Sequence, residues 1–368
     1  MNDTRKYRIT LIGNLHKGTG NNSTILRLKK GLLSLNYLVT IIDSYDNDHH
    51  NLTTLYNNTD LFIGLHAYHS GILLNKLYEL YKIKYFIILG GTDINCYKYY
   101  HVEKDVIYRC LLYSHHIISF NTSMKYKLIK YLKNNEKNIS IIPQSIILPS
   151  NINQNNPNNP NNPTFQQVVN KFHINLDEDL IFLALSSIRI VKDPFYIVNI
   201  FQQYYNNQCS MKNKKVHLIL GGTLLDNCSK IFEKYINLLS YNLQTIDTYQ
   251  GVTYINMINN PYEYLNHSHI FINTSINEGM SGAILEAMSF NKILILARNN
   301  QGNQSIIKHQ YNGLLYNTPE ECYTYINKIY NKEINIKQYI KNAYNTILKH
   351  HNFNDEINQY HQLINNMK

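Results

Sequence analysis

Residues 270–291, Ile270-Phe-Ile-Asn273-Thr-Ser-Ile-Asn-Glu278-Gly-Met-Ser-Gly-Ala-Ile-Leu-Glu286-Ala-Met-Ser-Phe-Asn291, decide how the chain is read. The apolar run Ile270 to Ile272 predicts a short buried strand that ends at the polar Asn273, Thr274 and Ser275. Gly279, Ser281 and Gly282 supply loop freedom and a capping hydroxyl, and Ala283 to Phe290 predicts a helix. Glu278 therefore falls in a strand-to-helix loop and Glu286 a little over one turn into the helix. In an open α/β sheet the carboxyl ends of the strands face the ligand, and a helix N-terminus there favours an anion. Two carboxylates beside an anion make sense if they hold hydroxyls, because an ionised carboxylate accepts from both hydroxyls of a vicinal diol. Phosphates together with diols describe a nucleotide sugar. On spacing alone, Glu278 would be an acid favoured near a helix N-terminus and Glu286 a solvated helix residue.

The local sequence says more than the spacing. It resembles the Glu-x7-Glu signature of the retaining glycosyltransferases of group 1 (family 4). The continuation Leu294-Ile-Leu-Ala-Arg298-Asn-Asn-Gln-Gly302-Asn, through Lys308-His309 to Asn312-Gly313-Leu-Leu-Tyr316, is similar to that family as well. The resemblance implies an α/β chain of two facing doubly wound Rossmann-like domains, the GT-B type, with the donor in the cleft between them. It also implies metal-independent transfer of a hexose-type sugar from a nucleoside diphosphate, with retention of anomeric configuration. The donor is then a substrate, and no cofactor or metal is expected.

Elsewhere the strand-end loops carry the candidate residues. Tyr7 to Ile12 predicts a first strand, followed by Gly13-Asn-Leu-His16-Lys-Gly18-Thr-Gly20-Asn-Asn-Ser23 and a helix to about Leu35; a second strand, Leu38 to Ile42, ends at Asp43. Gly18 and Gly20 make the turn, or let backbone N–H groups approach a phosphate or the acceptor. A glycine loop after one strand and an acid after the next also fit a nicotinamide-dependent oxidoreductase, although Ser23 stands where the third glycine belongs. Asp46-Asn-Asp48 has the spacing of a metal-holding acid pair but sits in a polar stretch, and reads as a solvated loop.

Asp60 to Leu65 predicts a third strand leading into His66-Ala-Tyr-His69; by resemblance, His66 is the histidine near the transferred sugar. Tyr85 to Leu89 predicts a fourth strand, ending in Gly90-Gly91-Thr92-Asp93, where Asp93 caps a helix or touches substrate. Gly90 stands where many family members carry His. Ile117 to Phe120 and Ile139 to Ile142 predict further strands around a helix, Ser123 to Leu132, an alternation that means a parallel doubly wound sheet.

Residues 149–163, rich in Asn with regularly spaced Pro, cannot bury a core and read as a linker or insertion. They separate an acceptor-side domain, 1–148, from a nucleotide-sugar domain, 164–345. The last stretch, 346–368, is helical and by resemblance packs back on the first domain. The second half restarts the alternation with strand Leu180 to Leu185 and the loop Ser186-Ser-Ile-Arg189-Ile-Val-Lys192-Asp193. By default Arg189 and Lys192 are solvated charges; by resemblance they clamp the diphosphate, where fixed cations stabilise the departing charge. Val216 to Leu220, a helix near Ser229 to Leu239, a strand around Tyr249, a short helix Pro261 to Leu265 and a strand Ile293 to Leu296 complete the alternation. In the family, the region near Gly251 to Asn256 seats the base. By the same resemblance, Gly279, Met280 and Ser281 would face phosphate and sugar, Glu278 would hold sugar hydroxyls and Glu286 the ribose.

Composition sets outer limits. With 368 residues and 44% hydrophobic content there is material for two ordinary cores. A net charge of +10 suits anionic partners, but no basic run or nucleic-acid module accompanies it, so nucleotide phosphates suffice, with weak peripheral contact to an acidic membrane face as a further outlet. Five scattered cysteines without a C-x-x-C pair indicate neither a disulfide framework nor a zinc site. No apolar run approaches the roughly 18 residues of a membrane span, and the expected compartment is the cytoplasm. The remaining rival, a non-catalytic protein that keeps this fold for interaction, is not distinguished by sequence, nor is the acceptor.

Overall fold

Several strands of this chain are unbroken apolar runs, among them Leu61-Phe-Ile-Gly-Leu65, Tyr85-Phe-Ile-Ile88 and Leu180-Ile-Phe-Leu-Ala-Leu185. Strands covered by helices on both faces must read this way, because neither face meets water. The computed structural model describes residues 6–16, 19–46, 51–95, 101–133, 137–149, 163–209, 215–223, 251–256, 258 and 260–367. The chain divides into two units. The first comprises Met1–Ser145 with Asn277–Ser281 and His350–Lys368, the second Ile146–Ile276 with Gly282–Lys349.

The first unit holds strands β1 (Arg8–Gly13), β2 (Leu38–Asp43), β3 (Leu61–Leu65), β4 (Tyr85–Ile88), β5 (His116–Ser119) and β6 (Ile139–Ile141), in the order β2-β1-β3-β4-β5-β6. Its helices are α1 (Gly20–Ser34), α2 (Leu52–Asn57), α3 (His69–Tyr81), α4 (Thr92–Asn95), α5 (His101–Tyr113) and α6 (Thr122–Tyr131). The second unit holds β7 (Leu180–Leu185), β8 (Val216–Gly221), β9 (Val252–Ile255), β10 (Ile270–Asn273), β11 (Leu294–Arg298) and β12 (Leu314–Tyr316), in the order β12-β11-β10-β7-β8-β9. Around it lie α7 (Phe165–Phe172), α8 (Val198–Cys209), α9 (Pro261–His267), α10 (Gly282–Ser289), α11 (Gln301–Gln304), α12 (Pro319–Tyr330) and α13 (Ile336–His350). Helix α14 (Phe353–Asn365) returns to the first unit.

All strand pairings are parallel, so each sheet delivers the carboxyl ends of its strands to one edge. The fold is therefore the expected α/β pair of doubly wound sheets. The strand expected around Tyr249 is found as β9 at Val252–Ile255, and Tyr249 itself lies outside the described residues. The expected helix at 229–239, and most of the 149–163 segment, lie outside the described residues. Sequence reading passed over β12, three residues whose apolar run is too short to register, and α5.

Side-chain caps fix the helix starts. Asn51, Asn121, Asn300 and Asn352 each accept from a backbone N–H of the first turn, as do Thr19, Thr164 and Thr318. In the β11–β12 connection, buried Asn312 accepts from Lys308 N and donates to Ile306 O and Thr346 Oγ1.

Helix α14 is held to α1 by a buried polar cluster. Arg27 Nε and Nη2 donate to the two oxygens of Glu356 at 2.8 and 3.1 Å, and Ser145 Oγ donates to the same carboxylate. Alongside, His351 Nδ1 donates to Gln144 O at 2.7 Å, and Ile357 packs over Gly31, where a Cβ would come within 2.2 Å of it. Removing one partner leaves the other charge buried and uncompensated. Glu356→Ala should cost about 3–5 kcal/mol in urea unfolding, and Arg27→Met/Glu356→Leu together should recover most of that loss. Burial pushes the His351 imidazole below its ordinary 6.5, the charge of His350 acting in the same sense against the Gln144 bond and Glu356. Below pH 6.5 the unfolded chain therefore takes up a proton that the folded chain refuses, and stability falls as the pH drops. Urea midpoints at pH 7.5, 6.5 and 5.5 should show this decline, and His351→Gln should reduce it; His116, lowered by burial and then by His115, acts in the same direction.

Candidate active site

At the carboxyl edge of the second sheet, β7 runs into a loop pinned by Gly222. There φ is +154° and a Cβ would lie 1.7 Å from Ser186 O, so only glycine fits. The loop then makes a single 3-10 turn, Ile190–Lys192, with Arg189 at its start and Lys192 at its end. Arg189 and Lys192 thus flank one short turn. Arg189 Nε is buried and has no hydrogen-bond partner among the described residues. The turn is stitched to the end of β10: Thr274 Oγ1 donates to Lys192 O at 2.8 Å and Ile276 N to Val191 O at 2.9 Å.

The end of β10 is itself over-determined. Asn303 Nδ2 donates to Asn273 Oδ1, Tyr316 Oη to Asn273 O, and Asn300 Nδ2 to Ser275 O, each at 2.9 Å. Burial first, with Cys322 adding, pushes the Tyr316 phenol well above its ordinary 10.0, so it stays a donor. Arg298, the last residue of β11, donates to Asp193 Oδ2 at 2.8 Å and to Thr274 O at 3.3 Å, and its guanidinium lies 3.9 Å from the Tyr196 ring centroid. Sequence reading quoted Arg298 without giving it a task. The available signal was a charge closing the otherwise apolar Leu294–Ala297.

Glu286, on α10, is half-buried beside α9. The Tyr262 phenol is raised by burial and then by the charge of Glu286, which places that carboxylate near it. Tyr262 also stacks on Phe290 with ring centroids 5.8 Å apart.

In the first unit, His66 directly follows β3 with φ +74°, an uncommon left-handed conformation for a residue with a Cβ. Its Nδ1 accepts from the N–H groups of Tyr68 and His69 at 3.3 and 3.5 Å, which puts the proton on Nε2, 2.8 Å from Thr92 Oγ1. A Cβ at Gly90 would come within 2.7 Å of the His66 ring, so the glycine at this position makes room for the imidazole. Asp93 is 2% exposed and engaged by backbone. Its oxygens accept from Ala67 N, Gly90 N and Gly91 N, which ties the loops after β3 and β4 together.

The segment Asn277–Ser281 belongs to this unit and meets the same loops. Asn95 Nδ2 donates to Glu278 O at 3.2 Å, and Asn121 Nδ2 donates to Gly279 O at 2.7 Å while its Oδ1 caps α6. Gly279 and Gly91 approach so closely that a Cβ on Gly91 would lie 2.7 Å from Gly279 N. Met280 and Ser281 are buried, and Glu278 is half-buried. The structure therefore gathers His66, Asp93 and the Glu278–Ser281 loop in the first unit, and Arg189, Lys192 and Glu286 in the second. Gly20 begins α1 with open space at its Cβ, while Gly18 lies outside the described residues, as does Asp48 of the acid pair. Among the described residues no three His, Cys, Asp or Glu side chains gather as a metal site, and no helix is long and apolar enough to cross a membrane.

Residues 167–346 match the family described as glycosyl transferases group 1. Over 98% of both chains the sequence is 26% identical to glycosyltransferase 1 domain-containing protein 1 of Xenopus tropicalis. Among solved structures, sucrose-phosphate synthase from Thermosynechococcus elongatus superposes with a TM-score of 0.77 at 14% identity, covering 98% of this chain and 99% of that one. Anabaena Alr3699/HepE in complex with UDP-glucose does so with a TM-score of 0.73 at 12% identity, covering 98% and 99%. The two parallel six-stranded sheets are thus the GT-B architecture, and residues 167–346 carry the match to the group 1 glycosyltransferases.

Proposed function

We propose that the protein transfers a sugar from a nucleoside-diphosphate sugar to an acceptor, with retention of configuration and without a metal. The observation that carries this reading is the Arg189–Lys192 turn. A buried N–H donor left without a partner costs about 1–3 kcal/mol, and Arg189 Nε is such a donor beside a second cation at a strand-end edge. A diphosphate oxygen satisfies it. The match of residues 167–346 to the group 1 glycosyltransferases supports the reaction class, and the HepE structures, which hold UDP and UDP-glucose, show a chain of the same fold with such a donor.

In this reading Arg189 and Lys192 hold the diphosphate and neutralise the charge that grows on it as the glycosidic bond breaks. That interaction is stronger in the transition state than in the ground state. Two fixed cations supply the positive charge that a divalent ion would otherwise bring. Glu286 accepts from the ribose hydroxyls and Glu278 from those of the sugar, while the Gly279–Ser281 backbone faces phosphate and sugar. His66, its proton fixed on Nε2, orients the sugar near the reacting carbon. The donor is consumed as a substrate, so no cofactor enters. Buried free Cys110 and Cys322 accord with a reducing, cytoplasmic setting.

Calorimetry against UDP-, GDP- and ADP-sugars, together with an assay for released nucleotide, tests the proposal. One donor should give saturable heat and nucleotide release undiminished by EDTA, and the product anomer should match that of the donor by NMR. Arg189→Ala should lower kcat/KM roughly a hundredfold or more, the scale of losing a group that stabilises developing charge. Glu286→Ala should weaken donor binding about tenfold while leaving the melting temperature nearly unchanged. A chain that gives neither heat nor nucleotide with any donor is an interaction protein on this fold, and the proposal fails.

A further inference from the structure

Asp193 ends the 3-10 turn in the left-handed region, φ +43° and ψ +52°, directly before Pro194. That conformation is disfavoured for a residue with a Cβ, and a following proline restricts the backbone further. Such a residue persists only where its surroundings over-determine it. The surroundings here are Arg298. Strand β10 lies between β11 and β7 in the sheet. To reach Asp193, the Arg298 side chain crosses the end of β10, donating to Thr274 O on the way, and its guanidinium plane is backed by the Tyr196 ring. The same Thr274 donates its hydroxyl to Lys192 O. One side chain thus ties both ends of the stitch that carries the two cations.

We propose that Arg298 is a positioning residue for the anion-holding turn: it contributes no atom to the donor and fixes where Arg189 and Lys192 stand. This rests on the donor-site reading above. The competing view is that a part-exposed Arg–Asp pair, with side chains 22% and 29% exposed, contributes almost nothing.

The two views separate in the full-length chain carrying Arg298→Ala, with Arg298→Lys as the conservative variant. Amide hydrogen exchange reads the turn without any ligand. The amides of Lys192, Asp193 and Ile276 should exchange about tenfold faster in Arg298→Ala, with the rest of the second sheet unchanged and Arg298→Lys intermediate. Affinity for inorganic pyrophosphate should fall about tenfold, the scale of one charge-assisted hydrogen bond, while affinity for the free nucleoside of the preferred donor stays constant. Wild-type protection of those three amides in Arg298→Ala overturns the proposal. So does faster exchange spread over the whole sheet, with nucleoside and pyrophosphate weakened alike, because that marks a merely structural role. If Arg298→Ala does not fold, the local exchange and pyrophosphate affinity of Arg298→Lys decide in the same terms. If wild type binds neither pyrophosphate nor nucleoside, the donor reading falls, and the exchange pattern still decides what Arg298 does.

Discussion

Two hydrogen bonds, Thr274 Oγ1 to Lys192 O and Ile276 N to Val191 O, join the loop that leaves β7 to the loop that leaves β10. Parallel strands bring these loops to the same edge but do not fix them against each other, since loops have no ladder of their own. The stitch does that, so the cations of one loop take their place from the strand that leads to Glu278. Asn303, Tyr316 and Asn300 hold the same strand end from three further positions. The polar material is concentrated at the end of the strand, where chemistry needs it, and the strand's interior remains apolar. Ile270, Phe271 and Ile272 are all at most 1% exposed.

Part of the chain's left-handed backbone lies at these same strand ends. His66 after β3 and Asp193 in the loop after β7 adopt the left-handed conformation, and Gly91 and Gly222 take positive φ after β4 and β8. Each is held by something specific. His66 is fixed through Thr92 and two backbone N–H groups, Asp193 through Arg298, and the loop at Gly91 through the carboxylate of Asp93. Regular strands thus hand over to loops whose shape is set by side chains rather than by backbone repeats.

Much of this was legible in the sequence because it is local. Apolar runs named the strands, punctuation by Gly and polar residues named their ends, and the Glu278–Glu286 interval sits within one loop-helix unit. What escaped was non-local. Arg27 and Glu356 are 329 residues apart and Asn121 and Gly279 are 158 apart, and nothing in the order of residues announces either pair. The three backbone N–H groups that Asp93 accepts from were equally invisible, because such a carboxylate looks in sequence like one that caps a helix. The Asn-rich composition blurred helix boundaries from sequence. In the fold, several of those asparagines are the boundaries: Asn51, Asn121, Asn300 and Asn352 sit at helix starts, where their amide oxygens outperform most residues.

Asn312 and Gly313 form the dipeptide in which asparagine most readily deamidates, through attack of the following backbone nitrogen on the side-chain carbonyl carbon. In this fold the Asn312 amide is buried, and its oxygen and nitrogen are engaged by Lys308 N, Ile306 O and Thr346 Oγ1, so the carbonyl carbon cannot swing toward the nitrogen of Gly313. Folding therefore also slows chemical ageing at this bond. Each excursion that opens the connection between β11 and β12 exposes a pair whose conversion to aspartate or isoaspartate would place a carboxylate, or an extra backbone carbon, where three hydrogen bonds now converge. The chemical lifetime of this dipeptide is thus tied to how seldom that one corner unlocks.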